Sequence, residues 1–185
     1  ALRDRQIPLW RGTAMLDLVQ EDGRVIGIVI ERNNQREFVR ARKGVVLAAG
    51  GFERNQAMRE QYLPSPTNTQ WSAGNLQNTG DAIIAAQKLG ADTAQMDWGW
   101  WFTTATVPGK PKAYLSQVEK GMAGSITVNR KGARFSNESQ NYMTFQQETF
   151  AKHTEESPTY PTWQIFDADF RANYFVGPLF NSKFR

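Results

Sequence analysis

The sequence predicts an α+β fold, and three observations carry that expectation. Residues 8–47 are rich in β-forming side chains broken by two tight turn signals. Short helical patterns follow, at Asn55–Tyr62, Asp81–Leu89, Ser139–Lys152 and Asp167–Tyr174. Between them lie isolated strand-like runs at Ser125–Asn129 and Thr162–Phe166. Neither an internal repeat nor a low-complexity segment interrupts this order.

The first element is Ala14–Val19, ended by Glu21-Asp22-Gly23, a turn sequence. Arg24–Glu31 reads as the second strand, and Asn33-Asn34 as the second turn. Glu37–Val39 continues the meander, and the apolar run Val45-Val46-Leu47 within Lys43–Leu47 predicts a buried strand. Ala48-Ala49-Gly50-Gly51-Phe52 then releases the chain into the Asn55–Tyr62 helix, which Pro64 stops. Pro64–Leu76 is a polar loop, read as a domain crossing or an ordered site loop.

Asn78 or Thr79 is the expected N-cap of the Asp81–Leu89 helix, and Gly90 its C′ residue. Ala82, Ala85, Ala86 and Leu89 share one face of that helix, small enough for close approach to a backbone or a flat ligand. After the aromatic segment Met96–Phe102 comes a loop with Pro108, Gly109 and Pro111. Ser125–Asn129, the turn Arg130-Lys131-Gly132 and the return Arg134-Phe135 predict a hairpin. Asp167 is the expected cap of the last helix.

The 185 residues are 40% hydrophobic and 22% charged, ordinary for a globular protein. The net charge is +4, but Lys and Arg are scattered, and the densest group, Arg40, Arg42 and Lys43, interrupts a strand pattern. That argues against nucleic-acid binding. With no cysteine and one histidine, His153, no disulfide framework, thiolate site or zinc centre is expected. No apolar run approaches the roughly 20 residues of a membrane helix, and no signal peptide is visible. The chain starts with Ala and ends in Asn-Ser-Lys-Phe-Arg, so both ends are expected to be cuts.

Four features could carry chemistry, and each has a plainer reading. Gly50-Gly51 is a strand-to-helix turn, or a backbone passing close to a dinucleotide. Asn78-Thr79-Gly80-Asp81 either stabilises a helix dipole or packs a helix start against a cofactor. Trp98, Trp100, Trp101 and Phe102 are core, a wall for a large flat substrate, or a membrane-surface contact. Tyr142, four residues after Glu138, is structural or a proton-transfer group. The sequence has no G-x-G-x-x-G, G-x-S-x-G or P-loop.

Lys43–Phe52 (KGVVLAAGGF), Asn78–Ala91 (NTGDAIIAAQKLGA) and Ser125–Glu138 (SITVNRKGARFSNE) together resemble the fumarate reductase and succinate dehydrogenase flavoprotein superfamily in order and spacing. The resemblance covers roughly Ala14 to Tyr174 and departs at Ala82, where a second glycine is common. It implies an antiparallel meander and strand remnant of an FAD-binding domain over residues 1–70. It also implies a mixed α+β capping, substrate-binding domain over 71–185. It further implies FAD as cofactor of the whole protein, with Ala48, Gly50, Gly51, Gly80 and Asp81 beside it.

Within that superfamily the chain is most similar to 3-ketosteroid dehydrogenases. Fumarate reductases typically carry His-Pro-Thr where this chain has Gly99–Thr104, and an arginine where it has Tyr142. The Trp100-Trp101 pair, Glu138 followed by Tyr142, and Thr162–Tyr174 match the steroid branch instead. The resemblance implies that Tyr142 assists removal of the proton beside a ring ketone, while the neighbouring carbon gives hydride to flavin N5. Trp100, Trp101 and Phe102 would line the steroid site, and Arg134 and Glu138 would shape it. The implied partners are an apolar ketone and an unnamed electron acceptor. The missing signal peptide and membrane helix lead us to expect a cytoplasmic protein, with a peripheral membrane contact allowed by the tryptophans. A dicarboxylate reductase and a non-catalytic capping or interaction module are the alternatives. The chain alone is expected to be inactive, with little or no FAD.

Overall fold

The computed structural model describes residues 2–177. The end of the expected second domain, residues 178–185, lies outside them. The structure is mixed α+β, with small antiparallel sheets. It divides into two units: Ala1–Phe52 with Asn78–Ala94, and Glu53–Gln77 with Gln95–Arg185. Sequence reasoning expected one cut, after residue 70. By compactness the chain leaves the first unit at Phe52 and returns to it with Asn78–Ala94.

In the first unit, β1 (Thr13–Glu21), β2 (Arg24–Arg32) and β3 (Gln35–Arg40) form the expected meander in the order β1-β2-β3. Each turn places two residues at positive φ: Asp22 and Gly23 in one, Asn33 and Asn34 in the other. That geometry matches the twist of the flanking strands. Ile30 of β2 is buried at the centre. Helix α2 (Asp81–Lys88) packs on β1 through its small face, with Ala82 and Ala85 buried.

Two expectations fail in this unit. The Lys43–Leu47 run is not a strand, and Val46 is 91% exposed. An all-apolar run forms a buried strand only between two pairing neighbours, and no described residue pairs with it. The N-cap of α2 is also neither Asn78 nor Thr79. It is Gly80, in the left-handed region at φ 82. The Thr79 hydroxyl instead donates to Asp81 Oδ2, at 2.9 Å. At the other end Gly90 takes its expected place, with N–H bonds from Gly90 to Gln87 and from Ala91 to Ala86 closing the helix.

The left-handed φ of Gly80 carries a test. A β-carbon at this angle costs roughly 1–2 kcal/mol. Gly80→Ala is therefore expected to lower the stability to urea by about that amount with an unchanged denaturant slope. An unchanged midpoint would mean the helix start adopts another conformation.

In the second unit, α1 (Gln56–Tyr62) is capped by Asn55, whose side chain accepts from Met58 N–H at 3.1 Å. The following loop is ordered. The Arg54 guanidinium donates to the carbonyls of Thr69 (2.9 Å), Ser72 (2.8 Å) and Gly74 (3.0 Å). Arg59 Nε reaches Thr67 Oγ1 at 2.8 Å. Two short strands, β4 (Thr104–Ala105) and β5 (Tyr114–Leu115), pair across the proline-containing loop, which sequence reasoning left unstructured.

Strand β6 (Ser125–Val128) pairs with β7 (Trp163–Phe166) rather than with the expected return strand. Arg134-Phe135 contributes a single bridge, Val128 to Arg134. The turn itself forms, because the Asn129 side chain accepts from the N–H groups of Lys131 and Ala133 at 3.0 Å each. Helix α3 (Tyr142–Ala151) is shorter than the expected Ser139–Lys152. Asn137 draws the Ser139 N–H to its side chain at 3.0 Å, and Asn141 caps from Met143 N–H at 2.9 Å. These local bonds hold 137–141 as a turn, so Tyr142 opens the helix. Helix α4 (Ala168–Asn173) has Asp167 as its cap, as expected, accepting from Phe170 N–H at 2.7 Å. Phe145 of α3 and Phe170 of α4 are the largest fully buried side chains of this unit.

Candidate functional site

The glycine-bearing residues gather in the first unit. Gly80 N–H donates to Gly51 carbonyl at 3.1 Å, so the end of the apolar run and the start of α2 are joined. Gly50, at φ +83, lies against the Asn78 amide; a β-carbon there would stand 2.6 Å from its Oδ1. Ala48, Gly50 and Asp81 are exposed, whereas Gly80 is buried. With glycine at the cap, the first turn of α2 has no side-chain cap, and its N–H groups and dipole suit an anionic neighbour.

The aromatic residues gather in the second unit and do not act alike. Gly99 allows the difference, since a β-carbon on it would stand 2.7 Å from the Trp101 ring. Trp101 turns inward, its ring edge-on to Phe150 at 5.0 Å. Trp100 turns outward and is 74% exposed. Its indole N–H donates to the Tyr142 hydroxyl at 3.0 Å. Phe102 stacks on the Tyr142 ring, with centroids 5.1 Å apart and planes 22° from parallel, and touches Trp100 at 5.1 Å. Trp98, also exposed, has no described ring partner in this cluster. The structure thus brings Trp100, Phe102 and Tyr142 into one patch and sets Trp101 behind it.

Tyr142 also borders a depression of about 300 Å³, lined by Val118, Lys120, Met122, Glu138 and Gln140 among others. That is the lower end of the range for small-molecule sites. The turn before Tyr142 is held by two buried charged groups, Glu138 and Lys120. Glu138 is buried and accepts from Arg134 Nε at 3.1 Å and Nη2 at 2.5 Å, and from Thr127 N–H at 2.7 Å. Burial alone would raise its pKa, but those hydrogen bonds outweigh it and hold the carboxyl below its usual range. Lys120 is buried too. Its ammonium donates to the carbonyls of Glu138 (2.5 Å) and Gln140 (3.0 Å) and lies 4.7 Å over the Phe145 ring. Burial lowers its pKa, partly offset by the Glu138 charge. These contacts fix residues 138–140, the turn that leads into Tyr142.

The family described as FAD binding domain matches residues 1–179. The chain belongs to this family. It is 39% identical over 187 residues to a 3-oxosteroid 1-dehydrogenase of Mycolicibacterium smegmatis, a match covering 96% of this chain and 32% of that protein. The crystal structure of 3-ketosteroid delta1-dehydrogenase from Sterolibacterium denitrificans, in complex with 1,4-androstadiene-3,17-dione, superposes with TM-score 0.92 at 46% identity, over 100% of this chain and 34% of that one. The 3-ketosteroid-delta4-(5alpha)-dehydrogenase of Rhodococcus jostii RHA1, in complex with 4-androstene-3,17-dione, gives TM-score 0.56 at 31% identity, over 76% and 26%. The chain therefore spans about a third of the length of the relatives it matches. The resemblance to the 3-ketosteroid dehydrogenase branch, expected from the motifs, is borne out.

For a chain of the FAD binding domain family, the first unit offers a partial fit to the cofactor. The Gly80 N–H is given to Gly51, so the donors are the first-turn N–H groups of α2, which have no side-chain cap and lie beside the Asp81 carboxylate. The pyrophosphate cradle is not among these residues, because the sequence holds no G-x-G-x-x-G.

Sequence reasoning missed three supporting residues. Lys120 looks like one solvated lysine among several, and nothing in its spacing marks it as buried. Arg54 carries no local signal either, since its carbonyl partners lie 15 to 20 residues away. Gly99 did carry one: a glycine between tryptophans marks a place where a ring and the backbone come close. Among the described residues no helix is long and apolar enough to cross a membrane, and no cluster of acids or His could hold a metal.

Proposed function

We propose that this chain is part of an FAD-dependent enzyme that dehydrogenates a 3-ketosteroid, and that it supplies the proton-abstracting group, Tyr142. The observation carrying this reading is the patch of Trp100, Phe102 and Tyr142, which sets one ionisable hydroxyl at the edge of an apolar aromatic surface. Such a surface suits a flat apolar ketone. In this reading Trp100 and Phe102 form the wall and Trp101 supports it from behind. The first unit contributes one edge of the FAD site through Ala48, Gly50, Gly51, Gly80 and Asp81. The second unit is the capping, substrate-binding part.

The reaction removes two hydrogens from adjacent carbons and leaves a double bond between them. Tyr142 Oη, its own proton first released to solvent, takes up the acidic proton from the carbon beside the ring ketone and becomes the neutral phenol. FAD, held in part by the first unit, would supply the acceptor for the hydride of the next carbon. Phe102 holds the Tyr142 ring in one plane, and the aromatic wall excludes water from the carbon being deprotonated. Negative charge on the ketone oxygen needs hydrogen-bond donors, a task to which no residue of this chain is assigned. The greater likeness to delta1 than to delta4 enzymes favours a double bond at position 1.

A dicarboxylate substrate would need free cations. Lys120, which lines the depression, is engaged by two carbonyls and a ring, and Arg134 by Glu138. The isolated chain is expected to show no turnover, because it lacks the pyrophosphate cradle. The test uses a polypeptide of the relatives' length that contains this chain, loaded with FAD. It should oxidise a 3-ketosteroid with an artificial electron acceptor and leave fumarate untouched when given reduced dye. Fumarate reduction without steroid oxidation would sink the reading.

A further inference from the structure

We infer that Trp100 is a positioning residue for Tyr142, acting through its indole N–H rather than only as a wall. The inference rests on the reading of Tyr142 as the proton-abstracting group. The contact is built by its surroundings. Residues 100–103 run beside the first turns of α3 through successive hydrogen bonds. Trp100 Nε1–H donates to Tyr142 Oη at 3.0 Å, Trp101 N–H to Met143 Sδ at 3.2 Å, and Gln146 Nε2–H to Thr103 Oγ1 at 2.9 Å. Trp101 is further locked against Phe150, and Phe102 against the Tyr142 ring. Trp100 is thus placed by the residues that follow it, Trp101 held against Phe150 and Met143, and Phe102 against both Trp100 and Tyr142.

Two chemical consequences follow. An indole is a donor only, so the N–H occupies a lone pair of the tyrosine oxygen and turns the hydroxyl proton away from Trp100. It also stabilises negative charge on that oxygen, the form able to accept a proton from carbon. In water this bond is worth little, because solvent replaces it. With a steroid over the patch and water excluded, it becomes a charge-assisted bond to a phenolate. The step itself is unchanged: the C–H bond beside the ketone breaks, its proton forms the O–H bond of the Tyr142 phenolate, and its electron pair enters the forming enolate.

The test compares Trp100→Phe, Tyr142→Phe and the double variant in the FAD-loaded, full-length protein, with steroid turnover and substrate KM as readouts. Phenylalanine keeps an aromatic wall and removes the N–H. Trp100→Phe is expected to lower kcat by about 10- to 100-fold, the worth of a hydrogen bond to a charged oxygen, while KM changes by less than about threefold. The double variant should be no slower than Tyr142→Phe, since the two groups act as one unit. Trp100→Leu, which also lacks the donor, should match the kcat loss even if it raises KM. A raised KM with unchanged kcat in Trp100→Phe would make Trp100 a wall alone and overturn the inference. Losses that multiply in the double variant would overturn it as well. Full activity in Tyr142→Phe would instead remove the underlying reading of Tyr142.

Discussion

Tyr142→Phe is expected to lower steroid turnover by about 10²- to 10⁴-fold, the usual worth of a positioned acid–base group. The substitution deletes one oxygen atom. Stacking with Phe102 at 5.1 Å needs only the ring, so the aromatic patch survives. The helix start is also unaffected, because its cap is Asn141. Trp100 is exposed, so water can take its freed N–H before substrate binds. The flavin should therefore stay bound, with its absorbance spectrum unchanged, and the steroid KM should shift little. A loss confined to kcat assigns Tyr142 to the chemical step. A loss of flavin, or equal turnover in both proteins, would leave the tyrosine as a structural residue.

The parts of this arrangement that were legible from the sequence are the locally determined ones. Asp22-Gly23 and Asn33-Asn34 announce tight turns because few other residues tolerate positive φ, and both turns form. Asp167 caps the helix it precedes, and Gly90 ends its own. What failed depends on distant partners. Val45–Leu47 is apolar enough for a strand, but pairing is a property of its neighbours and not of the run itself. The partner of β6 is β7, far along the chain, rather than the adjacent return that turn chemistry suggested. Within the candidate site, the aromatic cluster was visible as composition. Its division into an inward Trp101 and an outward Trp100 was not, because that depends on Phe150 and Met143 arriving from α3. The buried Lys120 was hidden for the same reason, since its two carbonyl partners belong to a turn 18 and 20 residues away.

Phe145→Ala should cause the largest loss of stability in the second unit, about 3–5 kcal/mol. Phe145 is 1% exposed, so truncation removes a fully buried ring and leaves a cavity. The ring also has two particular neighbours. Phe135 packs on it at 5.9 Å, and the Lys120 ammonium lies 4.7 Å above it. Removing the ring leaves that buried cation facing a void, a further cost beyond lost apolar burial. Whole domains are stable by only about 5–15 kcal/mol, so the variant should lie close to unfolding at 37 °C. Phe145→Leu, which refills much of the space, should recover most of the loss. Urea unfolding of the full-length protein checks both variants. Because Lys120 holds the carbonyls of Glu138 and Gln140, the damage should reach the turn that leads into Tyr142 before the fold is lost. At temperatures where Phe145→Leu remains folded, its steroid kcat should fall while its flavin content does not. A loss under about 1 kcal/mol for Phe145→Ala would mean that α3 is not the packing centre of this unit, and that the Tyr142 turn is held in some other way.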